Sequence, residues 1–154
     1  MKNFLFKQID NTGLVLFRAV FGLLITLEAF GAIATGWVRR VLVEPEFTFN
    51  FIGFDFLQVF LGSGMYLYFI TMGIFGVMVM LGYKYRYAMF FYALMWTTVY
   101  FMQKTSYNNH YYLMVLLCWL MALLPANKDF SLDAKFKPSF KSSAMPQWCK
   151  GVII

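Results

Sequence analysis

The chain has 154 residues, of which 61% are hydrophobic and only 13% are charged, whereas soluble domains have about 45–50% and about 25%. This composition excludes a conventional soluble enzyme, a disordered tail and a disulfide-rich secreted domain. It predicts an all-α fold, a polytopic transmembrane bundle of about four spanning helices. The net charge of +6 fits basic loops that face anionic lipid, so we expect the bilayer as a partner and no nucleic acid.

The first predicted helix covers residues 13–37, a continuous hydrophobic stretch that contains two charged residues, Arg18 and Glu28. Charges within a membrane span usually face the bundle interior and carry a cost when unpaired. Two interpretations stay open. Either both side chains reach toward the membrane surfaces, or Glu28 pairs with a cation such as Lys104.

Residues 38–63 predict a connection rather than a helix. Phe47, Phe49 and Phe51 alternate with polar or small residues, which is an extended pattern. Pro45 argues against a continuing helix. We therefore expect an aromatic-rich loop at the outer membrane surface.

Three further helices are predicted, at 64–83, 87–102 and 111–124. Gly73 and Gly76 should allow close helix packing. Residues 126–154 are interpreted as a basic cytoplasmic tail of a single membrane domain, 1–154. Because residues 152–154 look like the start of another hydrophobic segment, we expect that domain to be incomplete at its C-terminus.

Lysine and arginine counts predict the orientation of the helices. Nine of these residues fall on the side of the N-terminus and three on the other side. Cytoplasmic loops carry the excess of basic residues. The N-terminus is therefore expected in the cytoplasm, and the aromatic loop and residues 103–110 are expected to share the outer face.

The polar stretch QKTSYNNH, residues 103–110, contains the single histidine of the chain. Ser106 or Asn108 could cap the next helix, which would place His110 in its first turn. There the positive end of the helix dipole favours a neutral imidazole that can accept a proton. A plain interfacial turn is the alternative interpretation. One histidine without nearby cysteine or acidic partners predicts no metal site.

Aromatic residues make up 21% of the chain. They could line a pocket for a ring-shaped lipid or quinone. An aromatic belt together with lipid-facing surface is the interpretation that composition favours.

The ten residues KTSYNNHYYL, 104–113, resemble the signature of the vitamin K-dependent γ-glutamyl carboxylase family and its bacterial relatives, the HTTM (horizontally transferred transmembrane) proteins. Supporting blocks follow the family's order and spacing: EPEFTFNFIGF at 44–54, GMYLYFITMG at 64–73, PANKDFSLDA at 125–134 and MPQW at 145–148.

The resemblance implies a specific chemistry. In the carboxylase, deprotonated reduced vitamin K reacts with dioxygen, the resulting base removes a γ-proton from a peptide glutamate, and the carbanion adds carbon dioxide. It implies reduced vitamin K or another quinol as cofactor, no metal, and a bacterial inner membrane with the His110 segment in the periplasm. The implied catalytic residues are His110, Asn109 and Lys104, with Thr105 in support.

Two departures from the family pattern qualify this resemblance. The motif usually has Asp where this chain has Gln103, which leaves Lys104 without its nearest counter-ion. The family's catalytic lysine lies in a region beyond this sequence, so we expect the chain alone not to perform the full reaction.

Three functions are therefore carried forward. The first is the N-terminal membrane portion of a carboxylase-like enzyme, with quinone-linked epoxidation and carboxylation in the full-length protein and the missing C-terminal part as its partner. The second is a non-catalytic integral membrane subunit that packs with other membrane subunits. The third is a small transporter or lipid-binding protein that uses Arg18 and Glu28.

Overall fold

The computed structural model describes residues 7–46, 49–54, 56–58, 60 and 63–153, apart from the side chains of 150, 152 and 153. The described part is mostly helical. Phe47 of the predicted aromatic pattern lies outside it. The elements are β1 (Gln8–Asp10), α1 (Thr12–Ala34), a π-helical turn (Arg39–Val43), α2 (Gly64–Leu81), α3 (Tyr85–Met102), a 3₁₀ turn (Lys104–Ser106), α4 (Asn109–Leu123), α5 (Leu132–Phe136), a second 3₁₀ turn (Pro138–Phe140), β2 (Ala144–Pro146) and α6 (Gln147–Ile153).

Glycines in left-handed backbone follow the ends of the first two long helices. α1 ends at Ala34, before the expected limit at residue 37, and Gly36 with φ of 71° follows it. α2 ends at Leu81, and Gly82 with φ of 66° caps it. Glycine adopts this conformation with little strain. The chain can therefore reverse direction immediately after each helix.

Small residues let α1 and α2 pack closely in antiparallel directions. A Cβ atom added at Gly22 would lie 2.5 Å from the backbone of α2. One added at Gly76 would lie 2.6 Å from Thr26 Oγ1, and one at Gly73 would lie 2.5 Å from the Phe30 ring. The predicted role of Gly73 and Gly76 is confirmed, and Gly22 adds a contact that the sequence did not reveal.

Buried tyrosines bond α3 to its neighbours. The Tyr92 hydroxyl donates to the Ile25 carbonyl of α1 at 2.8 Å. The Tyr85 hydroxyl donates to the Met121 carbonyl of α4 at 2.6 Å. Both rings are fully buried, and a buried hydroxyl is stable only with a partner. α3 therefore lies at the centre of the bundle.

Two of the described helices are long and apolar enough to cross a membrane, α1 and α2. α4 is apolar but has 15 residues, fewer than the roughly 20 that a span ordinarily needs. α3 has 18 residues, and tyrosine and threonine interrupt its apolar sequence. Membrane crossings by α3 and α4 therefore stay predictions.

Arg18 does not reach out to a membrane surface, so that interpretation is wrong for this residue. Its side chain is buried, with Nη1 donating to the Ala126 carbonyl at 3.1 Å and Nη2 to the Phe130 carbonyl at 2.7 Å. A buried guanidinium requires acceptors. The segment after α4 supplies them by folding back over the start of α1.

The residues after α4 form a folded cap rather than a free tail. β2 pairs with β1 in antiparallel register, with Ile9 opposite Met145. The Asp133 carboxylate accepts hydrogen bonds from the backbone N–H groups of Lys84 at 2.7 Å and Tyr85 at 3.1 Å. We call this end of the bundle the Arg18 end and the opposite one the Gln103 end.

Candidate functional site

Gln103 fixes the start of the polar stretch at the Gln103 end. The side chain is buried. Its Oε1 accepts from the backbone N–H of Phe49 at 3.1 Å, and its Nε2 donates to the carbonyl of Val41 at 3.1 Å. The backbone N–H of Lys104 donates to the Phe49 carbonyl at 2.6 Å. The polar stretch and the aromatic loop therefore share one end of the bundle, as predicted.

The amide at 103 replaces the acid that the family motif usually carries. A carboxylate accepts hydrogen bonds but cannot donate one to the Val41 carbonyl. Aspartate is also one methylene shorter. Gln103 thus uses both halves of its amide to hold the connection between α1 and α2 against the end of α3.

Asn108 caps α4, as predicted for Ser106 or Asn108. Its side-chain oxygen accepts from the backbone N–H of Tyr111 at 2.8 Å. This cap starts the helix at Asn109 and puts His110 in the first turn. The Tyr107 hydroxyl donates to Asn109 Oδ1 at 3.2 Å, which leaves the Nδ2 group of Asn109 as its outward donor.

The three expected catalytic residues, Lys104, Asn109 and His110, are all exposed. Lys104 Nζ lies 6.0 Å from the centroid of the Phe51 ring, within range of a cation–π contact. The ion pairs among the described residues join Arg39 to Glu44 and Lys141 to Asp129, so the expected pair between Lys104 and Glu28 is not formed.

Glu28 has a different neighbour, which the sequence did not indicate. Its carboxyl lies close to the Tyr111 side chain. Tyr111 follows His110 directly and packs edge-on against Trp37 and Trp96, at 6.0 and 5.3 Å between ring centroids. The neighbour of Glu28 is thus the residue directly after the histidine that the motif identifies.

The interior next to Tyr111 holds only a small cavity of about 10 Å³. Its walls include Trp37, Trp96, Gln103 and Ser106. Such a volume admits about one water molecule. A quinol ring therefore does not fit inside this cavity as the structure has it.

An exposed aromatic surface beside Asn109 fits a ring better. Tyr100 lies 6.1 Å from Tyr107 and 6.4 Å from Tyr112 between ring centroids. Tyr107 and Tyr112 are 53% and 49% exposed, so their faces are available for stacking. We call these three residues the tyrosine face. A planar cofactor resting there would meet the Asn109 amide at its edge, because the Tyr107 hydroxyl bonds to Asn109.

No group of three or more His, Cys, Asp or Glu side chains in the described ranges is arranged to hold a metal ion. The family model of the HTTM domain matches residues 6–154. That match covers the polar stretch, the aromatic loop and the folded cap alike. No solved structure matches the chain.

Proposed function

Because this chain belongs to the HTTM domain family, we propose that it is the N-terminal membrane part of a vitamin K-dependent γ-carboxylase-like protein. In the full-length protein it would take part in quinol-linked epoxidation and carboxylation. The proposal includes four spanning helices in a bacterial inner membrane. The excess of Lys and Arg at the Arg18 end favours that end in the cytoplasm and the Gln103 end in the periplasm.

One observation carries the proposal: a fixed turn presents Asn109 in contact with the tyrosine face and His110 at the next position of the helix. Gln103 holds the start of that turn and Asn108 caps the helix that follows it. Gln103 and Asn108 both form hydrogen bonds to backbone groups. The backbone that carries Asn109 and His110 is therefore held in place. Such preorganisation is what orients a reacting ring.

His110, Asn109 and Lys104 would have different roles, which follow from their chemistry. A bound quinol would supply the electrons that dioxygen consumes. The His110 imidazole can accept the proton of a ring hydroxyl, as a positioned general base does. Asn109 Nδ2 can donate to a ring oxygen. The Lys104 ammonium adds positive charge nearby, which favours negative charge on the ligand.

The experiment that tests this function is a quinone epoxidation assay of the full-length protein in its native membrane. His110→Ala should lower epoxide formation about 10²- to 10⁴-fold, the usual contribution of a general base. Because His110 is exposed, its removal should leave the thermal unfolding midpoint unchanged. Lys135→Ala, an exposed change at the Arg18 end, is the control. Unchanged epoxide formation in His110→Ala would reject the enzymatic proposal.

The competing function is that of a non-catalytic membrane subunit. The packing of the helices decides which substitutions can test it. Gly73 and Gly76 pack against α1 within this chain, so substitutions there report on folding rather than on assembly. Exposed apolar residues such as Leu16, Leu67 and Leu123 are 64%, 67% and 70% exposed. Polar substitutions at these positions that break a complex while His110→Ala leaves activity intact would support the subunit.

A further inference from the structure

We propose that the Arg18 end holds a specific site for an anionic phospholipid. A cavity of about 710 Å³ lies where the turn between α2 and α3 meets α5 and the second 3₁₀ turn. This volume is in the range of pockets that bind small molecules in proteins. It lies at the opposite end of the bundle from His110, and the proposed catalytic function does not use it.

Three cationic side chains line this cavity: Lys84, Arg86 and Lys137. All three are exposed, so their charged groups can meet a headgroup in the interfacial region. Basic groups near the cytoplasmic surface attract anionic lipid, by about 1 kcal/mol for each residue. The cavity therefore has the charge that a phosphate diester requires.

Among the described residues, Asp133 supplies the carboxylate in the cavity wall, and this carboxylate is already engaged. Asp133 accepts from the N–H groups of Lys84 and Tyr85 and from Asn127 Nδ2, the last at 2.6 Å. A carboxylate with several donors stays paired within the protein. It does not form an ion pair with any of the three cations in the described part of the chain. The cations remain available to a ligand.

Asn127 adds a polar side chain to the wall of the cavity. It lines the cavity and is 6% exposed. Its Oδ1 atom is buried and accepts no hydrogen bond from the residues that the structure describes. Buried acceptors without donors are uncommon in folded proteins. The Nδ2 group of the same side chain bonds to Asp133, so Asn127 belongs to the polar part of the cavity wall.

Apolar side chains continue from the charged rim into the helical part of the bundle. Phe75 and Phe91 stack at 5.6 Å between ring centroids and line the cavity together with Met78. Phe75 precedes Gly82 by seven residues, a distance of about 10 Å along a helix. An acyl chain can follow this groove while its phosphate stays among the cations. Free phosphate would leave the apolar wall uncovered.

The test measures retention of phosphatidylglycerol by the purified, delipidated chain with native mass spectrometry. The double variant Arg86→Gln, Lys137→Gln should bind this lipid about 30-fold more weakly, because two cations are lost. Lys7→Gln, Lys135→Gln removes the same charge from the same end outside the cavity and should bind normally. Lys84 is left unchanged because its left-handed backbone, with φ of 44°, is part of the fold.

Two comparisons on the unchanged chain complete the test. Phosphatidylcholine should bind more weakly than phosphatidylglycerol, and inorganic phosphate should not compete with the lipid. Raising the salt concentration should weaken the binding of phosphatidylglycerol but not that of phosphatidylcholine. Equal binding by both double variants, or equal binding of the two lipids, would overturn the proposal. Competition by inorganic phosphate would instead indicate a phosphate site without a lipid requirement and would overturn it as well.

Discussion

The side chain of Gln103 forms hydrogen bonds that join the end of α3 to the connection after α1. Its oxygen and nitrogen reach Phe49 and Val41, both in the connection after α1. The sequence identified position 103 only as a departure from an acidic motif. It could not show the amide's partners, because they lie 54 and 62 residues away. By contrast, the Asn108 cap was predictable, since its partner Tyr111 is three residues away.

Replacing Gln103 should loosen the aromatic loop. Gln103→Ala removes two partly buried hydrogen bonds, and we expect a loss of about 2 kcal/mol in the free energy of unfolding. Gln103→Asp should be similarly destabilising, because it cannot donate to Val41. The readout is the thermal unfolding midpoint in detergent, with limited proteolysis of residues 39–60. Thr105→Ala, in the exposed turn that follows, is the control. A midpoint in Gln103→Asp equal to that of the unchanged chain would contradict this account.

At the scale of elements, hydrophobic stretches in the sequence locate all four long helices. Their contacts were harder to predict. Gly73 and Gly76 stood out because they lie together in a hydrophobic stretch, whereas Gly22 is one glycine among several in α1. Which glycine faces the neighbouring helix depends on rotation about the helix axis. That rotation follows from packing against α2, which hydrophobicity alone does not fix.

The close approach of α1 and α2 predicts a difference between two glycines in one helix. Gly22→Ala puts a methyl group 2.5 Å from the backbone of α2, and overpacking of this kind costs about 1–3 kcal/mol. Gly31→Ala meets nothing within 4 Å and should be neutral or slightly stabilising through helix propensity. The thermal unfolding midpoints of the two variants in detergent measure this difference in stability. Equal midpoints would show that the two helices can separate without cost.

At the scale of the whole molecule, residues near the two ends of the described chain meet. β1 and β2 have three residues each, too few for a recognisable alternation of polar and apolar residues. The sequence therefore predicted a tail where the structure has a folded cap. Pairing across the full length of the chain is a tertiary property, and local patterns contain no information about it.

Cys149 reports on whether this cap is closed. The thiol is fully buried, and burial raises its pKa although Lys128 lies nearby. Alkylation requires the thiolate, so in a Cys118→Ala background Cys149 should be labelled slowly at pH 8. The labelling rate should continue to rise at pH values above the ordinary thiol pKa of about 8.5. Because the folded state holds the thiol proton more tightly, the cap should lose stability as pH rises through the raised pKa.

An exposed thiol provides the comparison for that measurement. Ser143→Cys with Cys149→Ala, in the same background, places the reactive group on the surface next to β2. It should label rapidly at pH 8. If Cys149 labels at the same rate, the cap does not protect it.

The hydrogen bonds of Arg18 also bear on how the chain is made. Their acceptors, Ala126 and Phe130, are synthesised 108 and 112 residues later. At about 5–20 residues per second, the ribosome needs roughly 5–20 s to deliver them. During that interval α1 has emerged with an unpaired cation near its start. The guanidinium must stay hydrated until the cap arrives, which delays its burial until after α4 has been made.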